Sequence, residues 1–80
     1  MAVVGLCSVT VQVTAIDGVV LPDPITVFAN TLFPKFNGIV TVTVFGQTVQ
    51  FPCPSVDLEE EIDVPGVGTV TLLINAVQLG

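Results

Sequence analysis

The sequence predicts an all-β fold, a small antiparallel β-sandwich of jelly-roll type with about seven strands, the alternative being a partly open β-barrel. Three observations predict it. Valine alternates with polar residues through Val9-Thr10-Val11-Gln12-Val13-Thr14, Val40-Thr41-Val42-Thr43-Val44 and Thr69-Val70-Thr71-Leu72. Period-two alternation sends the valines to one sheet face and the polar side chains to the other. Turn-forming residues cut the chain at short intervals, as a sandwich or barrel requires. No long linker or low-complexity tail interrupts the 80 residues, so a single domain is expected over 1–80.

The elements follow in order. Leu6 to Ile16 reads as the first strand, ended by the hairpin signal Asp17-Gly18. Val19 to Leu21 returns from that turn until Pro22-Asp23-Pro24, where neither proline can donate to a ladder. Ile25 to Asn30 is the next strand, and Thr31 to Phe36 an irregular aromatic connection around Pro34. Asn37-Gly38 turns into the strand Ile39 to Phe45, and Gly46-Gln47 into the shorter Thr48 to Phe51. Beyond Pro52-Cys53-Pro54, the residues Val56, Leu58, Ile62 and Val64 share a strand face, with Glu60 falling on it too. One helical turn capped by Ser55 is the competing reading there. Pro65-Gly66 then leads into a last strand, Thr69 to Leu79, whose second half is apolar on both faces. Such strands are normally covered on two sides.

Composition narrows the function. Hydrophobic residues make up 51% of the chain and charged ones 10%, against about 25% in ordinary domains. Eight charges cannot cover the roughly 4,600 Å² a monomer of this mass exposes, so surplus apolar surface is expected to form an interface. Lys35 is the only basic residue, which excludes binding to nucleic acid and disfavours an anionic membrane surface. No apolar run is long enough for a membrane helix, so no membrane insertion is expected. A transmembrane barrel built from several copies would need aromatic girdles that a chain without Trp or Tyr lacks. The start of the chain has no positive n-region, so a leaderless chain, or a mature form carrying an added Met1, is expected.

Catalysis is not expected. The chain has no histidine to act as base for Cys7, Cys53, Ser8 or Ser55, and no Trp or Tyr on which a sugar would stack beside paired carboxylates. No cofactor is implied. The acidic run Asp57, Glu59, Glu60, Glu61 and Asp63 offers oxygens to Ca²⁺ but lacks an EF-hand spacing. Its simpler reading is a solvated strand edge whose charges discourage wrong pairing. Cys7 and Cys53 have no zinc-ligand spacing, which leaves three states open: a bond between subunits, a bond within the chain, or free thiols. An internal bond would contribute about 4 kcal/mol by the chain-entropy argument.

Both chain ends are apolar. Val3, Val4 and Leu6 at one end, and Leu72, Leu73, Ile74, Val77 and Leu79 at the other, are the candidate self-assembly residues. One end is expected to pair with the next subunit and complete its sheet by strand addition, with segment 1–6 the other candidate to engage a neighbour. A head-to-tail contact of that kind propagates into a filament unless a rotation closes a ring.

In layout the chain resembles the subunits of bacterial endospore appendages, through its Val/Thr-rich strands, Cys7 ahead of the first strand and Cys53 late in the chain. The resemblance implies a jelly-roll fibre subunit, linked by strand addition and by disulfides between subunits. The chain departs from that pattern in having one N-terminal cysteine and six largely apolar residues before it. The function expected is a non-enzymatic structural subunit that self-assembles into a fibre or coat at a cell, spore or virion surface. The alternatives are a small binding or decorating module on a phage or virion, and a surface-active, amyloid-like film former.

Overall fold

A computed structural model describes residues 4–79. The chain is all-β, with six strands among the described residues: β1 (Val4–Ile16), β2 (Val19–Phe36), β3 (Ile39–Val44), β4 (Gln47–Pro52), β5 (Ser55–Val64) and β6 (Gly68–Gln78). They form one antiparallel sheet in the order β4-β3-β2-β1-β6-β5. The expected sandwich and its barrel alternative are both recognisable in it. Four long strands make one layer, and the β3–β4 hairpin folds over them at a corner where β2 and β3 pair only through Phe36 and Ile39. The edge strands β4 and β5 then touch without laddering, so the sheet nearly closes. The Cα envelope measures 44 × 22 × 15 Å. Its long axis matches a 13-residue strand at about 3.3 Å per residue, and its thickness fits two layers roughly 10 Å apart.

Alternation decides what is buried. Val9, Val11 and Val13 of β1 meet Val70, Leu72 and Ile74 of β6 under Val40, Val42 and Val44 of β3 and Phe51 of β4, all at most 2% exposed. Fully burying each such side chain contributes about 1.5–3 kcal/mol. Leu72 and Ile74, expected at a subunit interface, therefore belong to the chain's own core.

Six strands stand where about seven were expected, because β2 runs unbroken through Pro22-Asp23-Pro24 and through Thr31–Phe36. The prolines do not end pairing. Their segment bulges away from β1, with the register slipping between Val13↔Ile25 and Ala15↔Val20. A second bulge leaves Asn30 in left-handed backbone at φ 47°, where its N–H donates to Thr10 Oγ1 at 3.2 Å.

The acidic segment is a strand, and no helical turn forms there. A bulge at Val56-Asp57 opposes the single residue Asn75, whose Oδ1 accepts the Asp57 N–H at 2.8 Å. The extra residue reverses the alternation, so Val56 is 81% exposed instead of sharing the inner face with Leu58, Ile62 and Val64.

Three two-residue turns carry positive φ at both positions, as type I′ hairpins require: Asp17-Gly18, Asn37-Gly38 and Phe45-Gly46. The third sits one residue earlier than the expected Gly46-Gln47, since Val44 pairs with Gln47. At the β5–β6 turn, Gly68 (φ 116°) lies against the Asp17 carboxylate, which accepts the Thr69 N–H at 2.8 Å. A Cβ at residue 68 would collide with that carboxylate. Gly68→Ala is expected to cost about 1–3 kcal/mol from backbone strain plus the displaced carboxylate. Urea titration would read this, and an unchanged midpoint would show that the turn gives way freely.

Candidate interaction surfaces

The strands give the molecule two distinct ends. The root end holds the Asn37-Gly38 turn, the start of β1 and the end of β6. The tip end holds the Asp17-Gly18, Phe45-Gly46 and Pro65–Val67 turns. Cys7 and Cys53 are bonded to each other within the chain. Both are buried, and the bond fastens β1 to the segment leaving β4, where the Cys53 N–H also donates to Gly38 O at 3.0 Å. The hairpin layer is thus clamped at its root. No free cysteine remains among the described residues, so of the three states left open the bond within the chain is the one formed, and not the bond between subunits that the resemblance implies.

The outer face of the four-stranded layer is divided in composition along its length. Towards the tip it carries Thr10, Gln12, Thr14, Thr26, Thr71 and the β5 acids Glu59, Glu61 and Asp63. Towards the root apolar side chains predominate, around Ser8 and Asn75. Ser8 pairs with Leu32 on one side and Val77 on the other, and Leu6 pairs with Pro34. The Leu79 N–H donates to Leu6 O at 2.9 Å, extending the band. Leu6, Leu32, Val77 and Leu79 are each 47–59% exposed, and Val56 stands exposed in the β5 bulge, after Ser55, which pairs with Ala76. This band crosses all four strands. On β6 Asn75 separates this band from Leu73, which is half-buried between Gln12 and Glu59.

Of the other expected interface residues, Val3 lies outside the described residues. Val4 opens β1 opposite Phe36. Main-chain pairing through β6 is already taken: β1 ladders one side from Val70 to Gln78, and β5 the other from Gly68 to Ala76. Strand addition at β6, expected from its two apolar faces, is therefore blocked by the chain's own neighbours. Of the edges that remain, those of the long strands β2 and β5 are poorly suited to it. Beyond its corner β2 has an open edge, but Pro22, Pro24, Pro34 and three register shifts disrupt it. On β5 the acids alternate, Glu59, Glu61 and Asp63 outward with Glu60 half-buried inward opposite Leu72. Extended backbone holds same-face carboxylates about 7 Å apart. No group of three metal-ligating side chains converges among the described residues.

Sequence reasoning missed a second apolar feature. At the tip, the two layers diverge into a cleft of about 60 Å³ lined entirely by apolar side chains, among them Ile16, Ile25, Phe45, Val64, Val67 and Val70. These residues come from four strands and two turns, so no local pattern announces them. One signal was available: Phe45 precedes a glycine at a hairpin turn, a place that favours Asn or Asp.

The chain matches no protein-family model, no curated protein and no solved structure. Its function is read from these surfaces.

Proposed function

We propose that this chain is a non-enzymatic structural subunit that self-assembles through apolar contact into a fibre or coat. The carrying observation is the apolar band of Leu6, Leu32, Val56, Val77 and Leu79 across the root half of the outer face. The fold exposes 4865 Å², close to the roughly 4,600 Å² its mass requires, so the chain is as compact as an ordinary monomer. What sets it apart is the chemistry of that surface. About half of each of these side chains, and most of Val56, meets water, which puts the band at about 300–600 Å², the size of a typical monomer's largest and often functional patch. Side-chain contact is favoured over strand addition because prolines, bulges and acids disrupt the long sheet edges. The internal disulfide supports an oxidising setting such as a cell, spore or virion surface.

The test is Leu32→Thr combined with Val77→Thr, which keeps β propensity and removes the centre of the band. Both sites are exposed, so the melting temperature should stay within a few degrees of the parent. In light scattering, the parent should give particles well above 8.3 kDa and the variant much smaller ones at equal concentration. A parent that stays monomeric at high micromolar concentration would remove the proposal. A decorating module, the second reading, would instead give one discrete small oligomer.

A further inference from the structure

We propose that the tip cleft receives the root end of a second copy, with Phe36 as the inserted side chain, so that subunits join head to tail. The inference rests on the self-assembly reading and gives it a direction.

Size and shape come first. At about 10–15 Å³ for each water-sized group, a cleft of about 60 Å³ takes four or five carbons, an aliphatic side chain or the leading edge of a phenyl ring. Phe36 is 56% exposed beside the Asn37-Gly38 turn that ends the molecule at the root. Root and tip lie at opposite ends of a 44 Å long axis, so no subunit can fill its own cleft this way. A buried aromatic anchor in a matching pocket is the usual energetic centre of an interface. The two surfaces differ, so the contact is heterologous and repeats into an open chain.

Charge distinguishes the ends in the same sense. Lys35, the only basic side chain, adjoins Phe36 at the root. Asp17, Asp23 and Asp63 border the tip through their chain neighbours Ile16, Pro24-Ile25 and Val64. Lys35 and Phe36 lie on opposite faces of β2, so the attraction acts between the ends as wholes: root-to-tip contact brings the end that carries Lys35 to the carboxylates, whereas tip-to-tip contact would bring like charges together.

Phe45 supplies an independent sign. It holds φ 51° in a type I′ turn, a conformation that is a true outlier for a bulky side chain and natural for Asn. Its ring is 52% exposed and helps to line the cleft. A residue that breaks a local rule at a pocket mouth is expected where function demands it.

Sedimentation velocity across a concentration series at low salt tests this on the whole chain. Phe45→Asn should melt at or above the parent temperature, yet need at least tenfold more protein to assemble. Val67→Asp, at a half-exposed turn position of the cleft, should do the same and serves if Phe45→Asn folds poorly. Lys35→Asp should raise the assembly threshold several-fold, and Lys35→Asp with Asp23→Lys in one chain should lower it again. If folded cleft variants assemble at the parental threshold while Leu32→Thr/Val77→Thr does not, the head-to-tail contact is wrong and the self-assembly reading stands. If the double charge reversal is no better than Lys35→Asp alone, the proposed orientation is overturned. A monomeric parent overturns both readings.

Discussion

Replacing both Cys7 and Cys53 with alanine is expected to lower the melting temperature by roughly 15–30 °C. The bond closes a loop across a sequence separation of 46 residues, for which chain entropy predicts about 4 kcal/mol. A domain of this size has only about 4–12 kcal/mol in total, and each kcal/mol moves the transition by about 4–8 °C. Position adds to the effect. The bond lies where the hairpin layer joins β1, so losing it frees the root of the second layer as well as enlarging the unfolded ensemble. Alanine is the better replacement because serine would bury an extra hydroxyl. Thermal circular dichroism of parent and double variant checks the size. A non-reducing gel checks the pairing, with a single monomeric band and no thiol titratable in denaturant. A ladder that collapses on reduction would show that the bond joins subunits instead.

Phe51→Ala is expected to cost about 3–5 kcal/mol and to leave much of the protein unfolded at 37 °C. Phe51 is 1% exposed and is the largest fully buried side chain among the described residues. It belongs to the thin hairpin layer, which has only β3 and β4 to hold its apolar side against β1 and β6. Two strands cannot collapse around a lost ring as a larger core can, so most of the cavity would persist. Phe36→Ala, at an exposed ring, should cost under about 1 kcal/mol by the same denaturant titration. Equal losses at the two positions would mean that the hairpin does not form the second layer.

Much of the architecture was legible in the chain because its signals are local. Val9-Thr10-Val11 and Val40-Thr41-Val42 fix which side chains share a face, and Asp17-Gly18 and Asn37-Gly38 fix two hairpins through backbone that needs positive φ at both positions. Where a local pattern is interrupted by one residue, local reasoning fails. Val56 reads as an inner-face residue, and a single bulged position turns it outward. Pro22 and Pro24 read as a strand end, yet on the outer side of a bulged strand they cost β2 few ladder bonds.

The interaction surfaces were half visible. The sequence by itself determined an all-β chain with more apolar residues than eight charges could offset, two apolar faces on β6, and almost no reactive side chains. Alternation and composition are properties of the chain alone, and they hold whatever packs beside them. Only the tertiary structure decided which β6 face the core claims, sending Leu72 and Ile74 inward while Val77 stays exposed. It also joined Cys7 to Cys53 across the fold and gathered Ile16, Ile25, Phe45 and Val64 into one cleft. The physical reason is the same in each case. Period two says that a side chain has a face, but what covers that face is set by strands distant in sequence. Register and sheet closure bring those strands together, and neither is encoded within a single strand.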